Sequence, residues 1–219
     1  MIGVVICLLA SAKMNSTFSK YSRVHSHSGM TGKEAAEALL HREGIYDVRV
    51  EYVAGNLTDH YDPRSKVLRL SDATYQQTSV AAIGVAAHEC GHAIQHARGY
   101  APLSIRSALV PVANFGSSIA WPLIIIGLIM NSQTSQLFLN LGVIAFSMAV
   151  LFQIVTLPVE FNASRRALKI LGNTGMLYPD EVRETRKVLT AAALTYVAGA
   201  ASTILQLLRL IMISNSRRD

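Results

Sequence analysis

Charge is scarce in this sequence. Only 16% of its 219 residues are Asp, Glu, Lys or Arg, whereas 51% are hydrophobic and the mean hydropathy is +0.32. Soluble domains carry about 25% charged residues, so this shortage argues against an ordinary soluble domain and for a membrane protein. Cysteine is scarcer still. Cys7 and Cys90 are too few for a disulfide framework, which leaves the redox compartment open with a lean towards a reducing one. A basic stripe interleaved with aromatics is also missing. The net charge of +6 and pI near 9.5 therefore fit loops flanking a membrane, and nucleic acid is not an expected partner. The sequence shows no internal repeat and no low-complexity segment.

Long apolar runs take the place of charge. Ser107 to Met130, Leu137 to Leu157 and Val188 to Ile213 can each cross a hydrocarbon core of about 30 Å, which takes about 20 helical residues. The first two carry no charge, and Arg209 in the third lies near its end, where it can snorkel. Met1 to Ala12 would reach only about 18 Å as a helix. Without a basic stretch before it, this segment reads as a fourth membrane helix, completed by the residues after Lys13 or truncated at its start, rather than as a signal peptide. Asn131 to Gln136 is a polar loop joining two spans into a hairpin. The fold class expected is a mainly α membrane protein with a small α+β zincin-like catalytic domain and a short antiparallel sheet. Its parts are a membrane helix (1–19), a catalytic region (20–100), a transmembrane hairpin (101–158), a polar helical segment (159–187) and a last membrane helix (188–213).

Met14 to Tyr100 is the one stretch able to form a water-exposed domain. Thr31 and Glu34 form a capping-box pattern opening a helix from Gly32 to Arg42, with Gly44 placed to end it. Val48 to Val53 largely alternates apolar and polar, as a half-buried strand does. A second strand is expected at Lys66 to Leu70, after the Asp62-Pro63-Arg64-Ser65 turn. A long helix from Thr74 to Ala97 would follow, burying Val80, Ile83, Ala87, Gly91 and Ile94, with Gly84 and Gly91 admitting close neighbours.

Inside that helix stands His88-Glu89-Cys90-Gly91-His92, an H-E-x-x-H pattern. Four residues turn a helix by roughly 400°, so both histidines share a face and can hold one metal ion, with Glu89 beside them as a general base. The bland alternative is two polar histidines and a solvated glutamate. A catalytic zinc usually has three protein ligands and an open position. His96 is reachable, but three ligands on one straight helix converge poorly. Gln95 and Arg98 occupy the later positions of the longer three-histidine pattern. Five acidic residues follow the motif: Glu160, Asp180, Glu181, Glu184 and Asp219. Two crossings return the chain to the side it left, so Glu160 emerges on the same side of the membrane as the histidines. The competing role for Glu160 is to cap the segment it opens.

His88-Glu89-x-x-His92, a membrane hairpin and then Glu160-Phe161-Asn162-Ala163-Ser164 together resemble the HtpX and CAAX-prenyl-protease type of membrane gluzincin. With Ser16 to Tyr21, His88 to His96, Leu157 to Ala167 and Lys187 to Val197, the chain more closely resembles the bacterial YugP-like neutral zinc metallopeptidases. The resemblance covers nearly the whole chain. It implies a zinc-dependent membrane peptidase with His88, His92 and Glu160 as ligands and Glu89 as catalytic base. HtpX-type proteins carry an aspartate four residues after the glutamate, where this chain has Ser164, which leaves open what orients the ligand histidines.

The expected activity is metalloendopeptidase hydrolysis of membrane-associated or unfolded proteins by zinc-activated water. The alternative is a noncatalytic scaffold with a structural zinc. A transporter is disfavoured because the spans lack internal ionisable residues. Arg165, Arg166, Tyr178 and Tyr196 are candidate oxyanion donors. His60 either lines the cleft or sits in a surface turn, the second being preferred, and His25, His27 and His41 read as solvated. Cys90 is turned away from the histidines. Lys66 to Leu70 is either a structural strand or an edge strand that pairs with substrate. Basic residues cluster on the motif side of the membrane and are absent from the 131–136 loop, which places the active site in the cytoplasm. Arg217 and Arg218 dissent, unless the last helix lies against the bundle without crossing. Partners are thus a protein or peptide substrate and the lipid bilayer, with the oligomeric state open.

Overall fold

A computed structural model describes residues 2–130 and 134–216. Its elements are α1 (Ile2–Tyr21), α2 (Gly32–Arg42), β1 (Arg49–Tyr52), β2 (His60–Asp62), β3 (Val67–Leu70), α3 (Val80–Ala97), α4 (Ala101–Ile129), α5 (Ser135–Thr174) and α6 (Pro179–Asn215). The fold is mainly α, and α1, α4, α5 and α6 are each long and apolar enough to cross a membrane. α1 continues through Lys13 for 20 residues, as the completed fourth span requires. Residues 131–133 of the expected loop, and the dissenting Arg217 and Arg218, lie outside the described residues.

The segments set apart in sequence at 158 and 187 are joined in three dimensions. α5 runs 40 residues and α6 runs 37, about 60 and 55 Å at 1.5 Å per residue. That is nearly twice a hydrocarbon core. Each helix is therefore longer than one span needs, and its further length packs against α3 in the half that holds the sheet. α4 packs on α5, α5 on α6 and α6 on α1.

The water-exposed half has the main core. Leu39 and Leu40 of α2, Leu68 and Leu70 of β3, and Val80, Ile83 and Ile94 of α3 pack with Ala167 and Leu171 of α5, and with Val188 of α6. All are essentially inaccessible, and full burial of a leucine contributes about 1.5–3 kcal/mol. α2 has the expected capping box, with Thr31 Oγ1 accepting from the Glu34 N–H and Glu34 accepting from the Thr31 N–H.

Two expectations need correction. The sheet is mixed rather than antiparallel, in the order β1-β3-β2, with β1 parallel and β2 antiparallel to β3. β3 is therefore the central strand, and Lys66 to Leu70 has no free edge to offer a substrate. The composition explains this. Val67, Leu68 and Leu70 are fully buried, as a strand covered on both faces must be, whereas β1 and β2 are half-exposed. β2 is an edge strand that the sequence reading missed, being only three residues long. The second correction concerns the start of α3. The carbonyls of Tyr75, Gln77 and Thr78 accept from Lys33, Gly32 and Ser26, so they are not available for helical bonding. The helix begins only after Ser79, whose Oγ accepts from the Ala82 N–H at 3.1 Å.

Candidate metal centre

α3 is packed on nearly every side because its residues are small. A Cβ on Gly84 would meet Thr185 Cγ2 of α6 at 2.6 Å, and one on Gly91 would meet the Ala163 carbonyl oxygen of α5 at 2.6 Å. These two contacts seat α5 and α6 against the motif helix. One turn before Ala163, Glu160 is brought between the histidines.

Glu160 Oε2 lies 3.2 Å from His88 Nε2 and 3.4 Å from His92 Nε2. Donors about 2.0–2.1 Å from a tetrahedral ion lie about 3.3 Å from one another, so both spacings suit one shared ion. The three ligand atoms are within 4.8 Å of one another, the one such group of three or more among the described residues. Glu160 is 2% exposed and His92 8% exposed. Burial of an unneutralised carboxylate is costly, and a cation removes that cost. Arg106 of α4 stands on the other oxygen, with Nη1 3.7 Å from Glu160 Oε1. Neutral nitrogen and anionic oxygen donors with this spacing fit zinc.

The outer nitrogens of the rings are held as well. Gln95 Nε2 donates to the Val159 carbonyl at 2.8 Å and to Asn162 Oδ1 at 3.0 Å. Its amide orientation is thereby fixed, and Oε1 faces His92 Nδ1 at 3.1 Å. Nδ1 must carry the proton, which leaves Nε2 with the lone pair a metal needs. Ser164 Oγ lies 3.1 Å from His88 Nδ1. A hydroxyl thus occupies the place of the HtpX-type aspartate. Arg166 Nε donates to Asn162 Oδ1 at 2.7 Å, completing a hydrogen-bonded chain from α5 through Gln95 to His92. Helical spacing could have found two of these partners, because Gln95 is three residues from His92 and Ser164 four from Glu160. Arg106 could have been noticed as a lone charge at the start of an apolar helix.

Glu89 is 7% exposed. Burial pushes its carboxyl up to about 7; His88 pulls the other way, Glu160 and Asp59 add to the rise, and the Tyr61 backbone N–H lowers it. Glu89, His92 and Glu160 open on a cleft of about 580 Å³ walled by residues 59–64, by Leu103, Arg106, Ser107 and Val110 of α4, and by Tyr196 of α6.

Several candidates are sorted by this arrangement. Tyr196 is on the cleft wall. Tyr178 instead stacks on His27 at 3.8 Å, Arg165 faces a different groove beside Lys169, and Arg166 is engaged with Asn162. His96 is outside the donor group, with Nδ1 2.8 Å from the Tyr61 hydroxyl. His60, expected in a surface turn, belongs to β2 and lines the cleft. His25, His27 and His41 are exposed. Cys90 is buried against the Ala36 carbonyl, and burial pushes its thiol well above the usual range.

The fold and this centre define a mainly α membrane protein with a three-donor group that could hold a metal ion, opening on a cleft between its sheet and its long helices. Residues 1–215 match the family described as "Putative neutral zinc metallopeptidase", and the chain belongs to that family. It is 48% identical, over 96% of its own length and 92% of the relative's, to the Bacillus subtilis (strain 168) protein named "Putative membrane protease YugP". No solved structure matches the chain at a significant level. Family membership implies zinc as the metal and peptide-bond hydrolysis as the activity.

Proposed function

We propose that this protein is a membrane-embedded zinc endopeptidase of the gluzincin type, acting on protein segments at the bilayer surface. The observation that carries the reading is the donor triad of His88, His92 and Glu160, spaced for one ion, with Glu89 on the same cleft. Bound there, zinc would supply Lewis-acid chemistry, polarising a substrate carbonyl and acidifying the attacking water. Glu89 takes the proton of that water on its carboxylate and delivers it to the leaving amine nitrogen. Gln95 and Ser164 hold the two imidazoles in register. Arg106 and Tyr196 both approach Glu160 on the cleft wall, and Tyr196 is the hydroxyl we assign to the oxyanion.

The cleft supports the substrate class. One wall is the edge strand β2, where an extended peptide can add by backbone pairing. The opposite wall carries Leu103, Ser107 and Val110, a helical face of α4 that leads into the membrane. A chain lying along both would be an extended segment next to the bilayer. Basic residues at the motif-side ends of the spans, with none among residues 131–136, orient the site to the cytoplasm.

The test is Glu89→Gln in the purified full-length protein. It should keep its zinc and lose hydrolysis of an unfolded substrate such as casein by at least about 10³-fold, as expected when a general base is removed on top of lost water orientation. If wild type and variant are equally inert towards casein and a broad peptide library, the zinc is structural and the peptidase reading fails.

A further inference from the structure

α1 and α6 run antiparallel, with Gly3 beside Ser202 at one end and Tyr21 beside Lys187 at the other. Between them, on the metal-site side, lies a groove of about 410 Å³. Lys13 and Lys20 of α1 and Arg186 and Lys187 of α6 converge on it, together with the hydroxyls of Thr17 and Thr190, and no carboxylate lines it. Among the described residues some of the other cations are paired with a carboxylate and others, such as Arg42 and Arg64, are not, but the groove gathers four unpaired ones in one place. Lys33, Arg49, Lys66, Arg69, Arg98 and Arg106 each have a carboxylate within ion-pair distance, whereas among the described residues the four groove cations have none. Like charges gathered in one groove repel one another unless an anion offsets them. The cationic strip also continues around α6, because Arg186 and Thr190 are shared with the neighbouring groove that adds Arg165 and Lys169.

The groove is polarised along its length. Lys20, Arg186 and Lys187 lie at its aqueous end, and Lys13 and Leu194 at the end nearer the membrane. Beyond that end α1 exposes Val5, Leu8 and Leu9 and α6 exposes Val197. Cations along the groove and bare apolar helix faces beyond its membrane end match an amphiphile, whereas a free phosphate would use only the first. Basic pockets between membrane helices are suited to anionic headgroups. We propose that this groove binds an anionic glycerophospholipid, with its phosphate held by Lys13, Lys20, Arg186 and Lys187 and its acyl chains along the exposed faces of α1 and α6.

Native mass spectrometry of the delipidated full-length protein, titrated with phosphatidylglycerol and with phosphatidylcholine, tests this. Wild type should retain phosphatidylglycerol at least about tenfold better. The variant K13Q/K20Q/R186Q/K187Q should bring the two lipids close to parity, and K13Q/R186Q should lose an intermediate share if the fourfold variant does not fold. R42Q/R49Q/K66Q/R98Q, which removes four charges elsewhere, should keep the preference. The proposal is overturned if wild type shows no preference, if the groove variants retain it, or if the control loses as much. Displacement of phosphatidylglycerol by an equal concentration of inorganic phosphate would make this a free-phosphate site and overturn the lipid assignment.

Discussion

Along α5, residues 135–157 and 158–174 face different surroundings. In the first stretch the buried positions include Leu139, Gly142, Ala145 and Val150, while Leu137, Leu141, Ile144, Leu151 and Ile154 point outwards at 42–60% exposure. In the second stretch Val159, Glu160, Ala163, Ala167 and Leu171 are buried, and Arg165 and Lys169 are outside. The membrane half gains nothing by hiding large apolar side chains, because lipid is as apolar as leucine; close approach of small residues holds it instead. The water-exposed half obeys the opposite rule and has a core. Glu160 sits where the two rules meet, so the site needs both halves assembled.

The largest effect should come from the seam itself. Glu160→Gln removes the anionic donor and should empty most of the zinc and abolish activity, measured as metal per protein after dialysis. Zinc content equal to wild type would remove Glu160 from the ligand set. Gln95→Leu should weaken zinc binding about 10–100-fold, as expected when a group orienting a ligand histidine is lost. Competition with a fluorescent chelator reads this, and wild-type affinity would show that the fixed tautomer of His92 is of no consequence.

A matched pair of glycines then separates the two halves. A Cβ on Gly91 would meet the Ala163 carbonyl at 2.6 Å, and one on Gly116 of α4 would meet the Ala145 carbonyl at the same 2.6 Å. Both carbonyls belong to α5. Gly91→Ala and Gly116→Ala should each cost about 1–3 kcal/mol by overpacking, seen as lower thermal midpoints in nanodiscs. Only Gly91→Ala should also lower zinc affinity. If Gly116→Ala does so equally, the helix transmits membrane packing to the site and the halves are not independent. The smallest effect should be Ser164→Ala, which loses one neutral hydrogen bond worth about 0.5–1.5 kcal/mol, or roughly two- to tenfold in zinc affinity. Ser164→Asp should bind at least as tightly as wild type.

The spans, the capping box of α2 and the histidine pair were readable because each depends on neighbours within a few residues. The parity of two crossings pointed to Glu160 among five acidic residues, and its carboxylate lies 3.2 and 3.4 Å from the two histidines. Strand order was not readable, since β1 and β3 pair in parallel across an irregular connection and β2 is too short to show a period. The late start of α3 was hidden for a related reason: the carbonyls of Tyr75, Gln77 and Thr78 accept from Lys33, Gly32 and Ser26.

Sequence by itself determined that this protein belongs in a membrane, that His88 and His92 share a helical face, and that a carboxylate returns to their side. These follow from hydropathy, helical periodicity and crossing parity, which are properties of the chain in order. Tertiary structure alone decided that Gln95 fixes the tautomer of His92, that Ser164 serves His88, that Arg106 reaches Glu160, and that β2 rather than β3 borders the cleft. Gln95 and His92 share α3, but the amide is oriented by Val159 and Asn162 of α5, and the others join residues on different elements through hydrogen bonds, ion pairs or strand pairing of a few ångströms. Such distances exist only after the helices have packed against one another.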